Sequence, residues 1–460
     1  MKLGKHLVFS LFLFVIVLGA VFIGNVKLIK AESKTIVVPD DYSSIQEAVD
    51  KALEGDTVFV RNGFYINQTV IIDKRISLIG ENKTSTTIIG DWSLNGTVVL
   101  VLHDGVIVQN FSLASVDNSG LSGRAIHLLN VNGCLVSNCI SLNNGIGIWL
   151  YDSSENIIEN NYIIGEHTIP FSAGIKLQYS HSNSICRNNI TDYETGFGIV
   201  INTSNKNNLT INQISNNYHG IWLNASNTNN LTYNNVSLTR NIFVTSSDNA
   251  ILGSFGIRLF SSTDNTILGN IVLSIPKGIQ IVAYSKFNLI ENNTIANSTY
   301  GLELAHNSSN NLFEKNKLSN SQYGLIIKYA SNNTISANNV TNNEVGVNLE
   351  QSYDNLVYHN NFINNTIQIS NNDSISENKW DNSSEGNYWS NFNSTDNNGD
   401  IISDTPHIID QNNQDNYPFN DPIDIDTIPE NNLTLFGFLF LGIILLIIKL
   451  VYNKKLVKVS

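Results

Sequence analysis

The chain has 460 residues, with 26 Lys and Arg against 39 Asp and Glu and a formal net charge of −13. No basic stripe exists outside a short C-terminal tail, which argues against a nucleic-acid partner. The abundance of Asn, Ser and Thr suggests low complexity, but the apolar residues between them fall in the same slots again and again, which disorder has no reason to produce.

Residues 1–31 carry Lys2, Lys5 and His6 and then an apolar run from Leu7 to Ile23. This reads as a secretory signal peptide with cleavage near Ala31, or as an uncleaved anchor. In "PDDYSSIQEAVDKALEGDTVFV", Ser44 and Glu47 form a capping box, and Ile45, Ala48, Val49 and Ala52 make one apolar face. Gly55 stops that helix, which is placed to cover the open edge of the first coil and shield its unpaired strand. "TVFV", "ISLIG" and "TTIIG" supply irregular first coils, so residues 36–122 form an N-terminal cap with the opening turns.

Residues 123–370 repeat. An eight-residue phrase (Asn, any residue, an apolar residue, two of any kind, usually Asn, any residue, an apolar residue) begins at Asn132, Asn156, Asn183, Asn207, Asn229, Asn265, Asn288, Asn311, Asn333 and Asn355. Each copy follows a glycine by nine or ten residues, from Gly123 to Gly346. A period of about 22–24 residues with two or three apolar residues per short burst means one unit stacked on itself. The return path has no helical pattern. In the coil from Gly278, Ile279 and Ile281 alternate with Gln280, and Ile290 and Ile295 follow two polar bends. Three short strands and three turns per coil make a right-handed parallel β-helix, all-β apart from the capping helix. Coils stacked at about 4.8 Å turn equivalent residues into columns. Asn suits the bends because it tolerates left-handed φ and its amide can bond the Asn above and below.

Cys134 and Cys139 occupy the apolar slots of the first copy and read as buried thiols. Cys186 points away and lies two coils from Cys134, so no disulfide is expected.

The residues two places after each glycine should form an outward column: Ala125, Trp149, Lys176, Val200, Trp222, Arg258, Gln280, Glu303, Ile326 and Asn348. Trp149, Trp222, Lys176 and Arg258 are the carbohydrate-binding candidates, since the apolar face of a sugar suits an indole on a polar sheet. The alternative is that the long loops cover either Trp. Arg258, Gln280 and Glu303 are adjacent but one carboxylate short of a catalytic set. Longer connections precede Gly147, Gly174, Gly198 and Gly256 and cluster on one edge, where function usually sits. Two of them bring together Glu166, His167, Asp192, Tyr193 and Glu194. Glu166, Asp192 and Glu194 are weak candidates for acid–base cleavage of a glycan; the alternative is a polar loop rim.

Residues 371–420 form a C-terminal cap, with Trp380, Tyr388, Trp389, Tyr417 and Phe419 as its apolar lid. Asp396, Asn398, Asp400 and Asp404 space oxygen donors at every second residue, as calcium loops do, although Ile401 replaces the usual Gly and no Glu closes the loop. Calcium is the one cofactor expected; the alternative is a turn-rich cap without an ion. After a linker at 421–432, residues 433–450 are apolar over a length that just spans a bilayer, and the basic tail 451–460 stays inside. Roughly twenty N-x-S/T sequons, Asn67, Asn82, Asn189, Asn230, Asn307 and Asn393 among them, fit an extracellular glycoprotein.

The "SIQEAV" helix, "GDTVFV" and "ISLIGEN" resemble the opening segment of the pectin-lyase-like superfamily. The repeats at 123–362 resemble the carbohydrate-binding and sugar-hydrolase group of β-helices, and within it NosD-like surface proteins; Asn378–Phe419 resembles a closing segment of that group. The resemblance implies a β-helix but not one activity, since the fold hosts lyases, hydrolases, esterases and adhesins. It also raises copper, which needs soft or imidazole ligands. The chain's one Met is Met1, and its histidines are dispersed. The expectation is a non-catalytic, membrane-anchored surface protein that binds or presents glycans or mediates contact. The alternatives are an extracellular polysaccharide hydrolase or lyase, a structural surface-layer component, and a NosD-like accessory factor for a metalloprotein.

Overall fold

A computed structural model describes residues 33–91, 93–115, 123–165, 172–237, 254–371, 376–393 and 395–427. The signal segment, the apolar stretch 433–450, the basic tail, Glu166 and His167 lie outside the described residues. Among the described residues no helix is long and apolar enough to cross a membrane.

Three parallel sheets of 15, 13 and 14 strands run the length of a solenoid, and every described coil but the first and the last contributes one strand to each. The 15-stranded sheet begins at Thr35–Val38 and the 13-stranded sheet at Val70–Ile72. Strand pairing carries equivalent residues directly above one another, as in the run Ile199, Ile221, Ile257, Ile279, Leu302, Leu325, Val347. All seven are buried. Such aliphatic columns fill the interior from Ile36 to Trp389.

The only described α-helix, Ile45–Lys51, buries Ile45, Ala48 and Val49, and Ser44 accepts a hydrogen bond from the Glu47 amide. Gln46 completes the shielding. Its side-chain oxygen accepts from the Ile71 N–H at 2.7 Å and its amide donates to the Ile71 carbonyl at 3.1 Å. One side chain thereby stands in for the missing neighbour of the edge strand.

Two asparagine ladders fix the register. One runs Asn156, Asn183, Asn207, Asn229, Asn265 and onward to Asn378 and Asn413; the other runs Asn161, Asn188, Asn212, Asn234, Asn270 and onward to Asn387. Between the ends of a ladder, each side-chain oxygen accepts from the backbone N–H and the side-chain amide of the preceding coil. Each amide donates to the next rung, and usually to a carbonyl of the coil before. The second ladder ends on Asp415, whose carboxylate accepts from the Asn387 N–H and amide, the Trp389 indole and the Tyr417 N–H. Burial pushes the Asp415 carboxyl up to about 6, against those four donors. Trp380 and Trp389 close the core as expected, whereas Tyr417 is exposed.

The glycine column has a steric cause. A Cβ on Gly278 would lie 2.3 Å from the Gly301 carbonyl oxygen and 2.5 Å from Ile295, and most others in the column would meet the same two neighbours.

The first copy is out of register with its sequence alignment by two residues. Gly147 stacks on the Ala125 position, because Ile146 pairs with Arg124 and Ile148 with Ile126. Cys134 and Cys139 are therefore not in apolar slots. They stand where later coils have ladder Asn, donating their backbone N–H groups to Asn156 and Asn161. Both are buried, Cys186 is part-exposed, and all three thiols are free.

Candidate functional site

The outer face of the 13-stranded sheet gathers the chemistry. Its central column reads His127, Trp149, Lys176, Val200, Trp222, Arg258, Gln280, Glu303, Ile326 and Asn348. The four carbohydrate-binding candidates thus share one column, and the shifted first coil puts His127 there in place of Ala125, which is buried. A flanking column holds Arg124, Ile146, Ala173, Phe197, His219, Phe255 and Lys277. Phe255 stands in the glycine-preceding position that His219 holds one coil earlier, and their rings stack at 4.1 Å.

The indoles are not bare platforms. Trp149 stacks on His127 at 4.6 Å with planes 6° apart, and lies beneath Arg124 at 4.3 Å and Lys176 at 5.1 Å. Trp222 stacks on Phe197 at 5.3 Å and packs against a second apolar cluster of Ala173, Phe197, Val200 and Phe255. Their flat faces are taken up by neighbours, so a ligand meets this surface through edges and cationic tips.

Polar satisfaction is poor here. Eleven buried side-chain N or O atoms lack a hydrogen-bond partner among the described residues, and six are nitrogens of this face: those of Arg124, His127, Trp149, His219, Trp222 and Arg258. Leaving a buried donor unmade costs about 1–3 kcal/mol. Burial, and after it the Arg124 charge, pulls His127 down to about 4; burial, and after it Arg258, pulls His219 down to about 3. Both imidazoles are neutral at pH 7.

Toward the C-terminal half the same face is self-paired. Gln280 donates to Glu303, Lys277 approaches Glu303 at 3.8 Å, and Lys328 meets Glu350 at 2.8 Å. Beside Arg258 an open groove of about 550 Å³ is lined by Phe260, Tyr284, His306, Asn307 and Tyr329.

Asp192 and Glu194 sit on the connection before Phe197–Asn202 and flank Tyr193, which is fully buried and reaches the Asn144 carbonyl at 3.4 Å. The long connection there supplies a core plug, since a Cβ on Gly165 would lie 2.6 Å from the Tyr193 ring. Sequence alone gave no sign of this beyond the aromatic residue itself.

In the cap, Asp396 accepts from the Gly399 and Ile401 amides, Asn398 from Asp400, Asp400 from Ile402, and Asp404 from Asn397. These oxygens serve the loop's own turns. Among the described residues no group of three or more His, Cys, Asp or Glu stands where it could hold a metal ion.

Fold and site together define a parallel β-helix protein with one decorated sheet face. The family model described as periplasmic copper-binding protein (NosD) matches residues 49–250 and 235–394, and the chain belongs to that family. No curated protein matches the sequence. Among solved structures the chain is similar to PfbA, a surface adhesin of Streptococcus pneumoniae (13% identity, 70% of this chain and 89% of that one, TM-score 0.55). It is also similar to the Dettilon tailspike protein (14%, 66% and 67%, TM-score 0.53) and the PL6 family alginate lyase AlyGC (16%, 75% and 53%, TM-score 0.50). At such identities the likeness is one of fold.

The family description names copper, and the described residues do not fit it. Cys134 and Cys139 are buried ladder positions, and burial pushes the Cys139 thiol up to about 11. His359 bonds Glu385 at 2.6 Å, His181 accepts from the Asn205 N–H, and His407 packs against Trp389 and Phe392. His127 and His219 share a face but lie four coils apart, about 19 Å at the stacking distance.

Proposed function

We propose that this protein is a non-catalytic, extracytoplasmic β-helix that binds or presents a glycan along the outer face of its 13-stranded sheet. The observation that carries this is the concentration on that face of two half-buried indoles, three cations and six unpartnered side-chain nitrogens, in register over six coils. A linear ligand lying along the solenoid axis meets polar side-chain nitrogens at both ends of this stretch, and a polysaccharide offers hydroxyl acceptors along its length. Location outside the cytoplasm draws on the family description, and membrane attachment through 433–450 draws on the apolar run alone.

Catalysis is the less favoured reading because the face holds Glu303 without a second carboxylate in its column, and Glu303 is engaged by Gln280 and Lys277. Calcium, where it binds, belongs to the 396–404 loop and not to the sheet face.

The test is a broad glycan array with the full chain, followed for product release, comparing the native protein with Trp222→Ala and with Asp192→Asn/Glu194→Gln. Binding lost in the first variant, retained in the second and unaccompanied by product supports the proposal. Reducing-end or unsaturated products that vanish in the second variant replace it with an enzyme.

A further inference from the structure

Arg124, Lys176 and Arg258 stand on the outer face of the 13-stranded sheet in the stretch between residues 124 and 260. The outward columns there also hold Ile146, Phe197, His219 and Phe255; His127, Trp149, Val200 and Trp222; and Leu129, Tyr151, Gln178, Asn202, Asn224 and Phe260. None of these is an Asp or Glu, in a chain whose net charge is −13. Among the described residues no ion pair involves any of the three cations. Carboxylates flank the face only at its corners, as Asp152, Asp192 and Glu194, whereas in the C-terminal half Lys277 and Lys328 each have a carboxylate partner.

From this we infer that the glycan recognised by this face is anionic, a chain of carboxylated sugars whose charges meet Arg124, Lys176 and Arg258. This rests on the glycan-binding proposal above. Burial depresses the basicity of all three cations, and the Arg124 charge adds to the effect at Lys176. No carboxylate offsets that cost at Arg124 or Lys176, the Glu303 charge offsets only part of it at Arg258, and a carboxylate ligand would lower it at all three. A half-buried cation gains more from an anion than an exposed one does, because water screens the pair less. The cations lie two and then three coils apart, about 10 and 14 Å at the stacking distance, so the bound anion spans at least about 24 Å. Trp149, stacked on His127, contacts both N-terminal cations, Arg124 at 4.3 Å and Lys176 at 5.1 Å, so the two serve one ligand stretch. The self-paired charges beyond residue 277 mark where anionic recognition stops.

The experiment measures binding of the full chain to uronate oligosaccharides and to the same oligosaccharides with their carboxyls methyl-esterified, at low and high salt, with polyglutamate as a non-sugar polyanion. Lys176→Gln and Arg258→Gln are compared with Lys317→Gln, an exposed site on another sheet, and thermal melting checks folding of each. Expected is binding to the acid forms, weakened at least tenfold by esterification, by salt and by each face variant, with no change in Lys317→Gln. Equal binding of acid and ester overturns the anionic assignment and leaves glycan binding intact. Equal binding of polyglutamate overturns recognition of a sugar. Binding to neither oligosaccharide form while the general array reads positive overturns the anionic assignment alone; silence everywhere overturns both.

Discussion

Asn293→Ala tests whether the ladders stabilise the fold or merely accompany it. Asn293 is fully buried in mid-solenoid. Its side-chain oxygen accepts from the Asn270 N–H at 2.9 Å and the Asn270 amide at 3.0 Å. Its own amide donates to the Ile267 carbonyl at 2.8 Å and the Asn316 oxygen at 2.9 Å. Alanine removes all four bonds. The Asn270 backbone N–H is stranded and the Ile267 carbonyl loses its side-chain donor. At about 1–3 kcal/mol for each of these two buried groups, the loss is about 2–6 kcal/mol. Asn293→Asp is isosteric but turns a donor into an acceptor facing two other acceptors, so it should lose as much or more. Urea unfolding followed by circular dichroism gives both values, with Lys317→Ala as an exposed control on the paired neighbour of Thr294. Losses below about 0.5 kcal/mol in both variants, equal to the control, would refute the claim that the ladder's hydrogen bonds hold the coils in register.

Gly278→Ala should cost about 1–3 kcal/mol through overpacking against the Gly301 carbonyl and Ile295, while Gly133→Ala meets no atom within 4 Å and should lose only the cost of its left-handed φ; thermal melts of the two variants compare them. Asp415 has a folded pKa above its unfolded value of about 3.9, so its protonated form favours the folded cap. That contribution is complete below pH 4 and is lost as pH rises through about 6. The shift of about two units corresponds to about 3 kcal/mol, and Asp415→Asn should flatten the pH 4–6 part of the stability profile. Chelation of calcium should leave the melting temperature unchanged, because the 396–404 oxygens already serve the loop's amides; a rise on calcium addition that Asp400→Asn removes would show an ion there after all.

The repeat made the architecture legible, because a strict column needs the same residue type at the same slot in every coil. Apolar slots, ladder asparagines and the glycine column are all conditions of stacking. Register failed where chemistry was substituted. In the first coil Ala125 stands for glycine and Cys134 and Cys139 stand for Asn, so the phrase beginning at Asn132 fits two residues early by coincidence. The signal that would have corrected it is the five-residue spacing of the cysteines, the same as that of the two ladder asparagines. The column of Trp149, Lys176, Trp222 and Arg258 followed from the glycine spacing and stands as read. The stacking of Trp149 on His127 did not, since it needs the shifted first coil. Nor did the burial of Tyr193, because connection length says how far a loop travels and nothing about which residue turns inward.

The central claim is that a glycan lies along the outer face of the 13-stranded sheet, and hydrogen–deuterium exchange with and without a bound array hit tests it most directly. The expected result is added protection confined to peptides covering 124–129, 146–151, 173–178, 197–202, 219–224 and 255–260. Protection at the 396–404 cap or on the other two sheets, with these six strands unchanged, would contradict it.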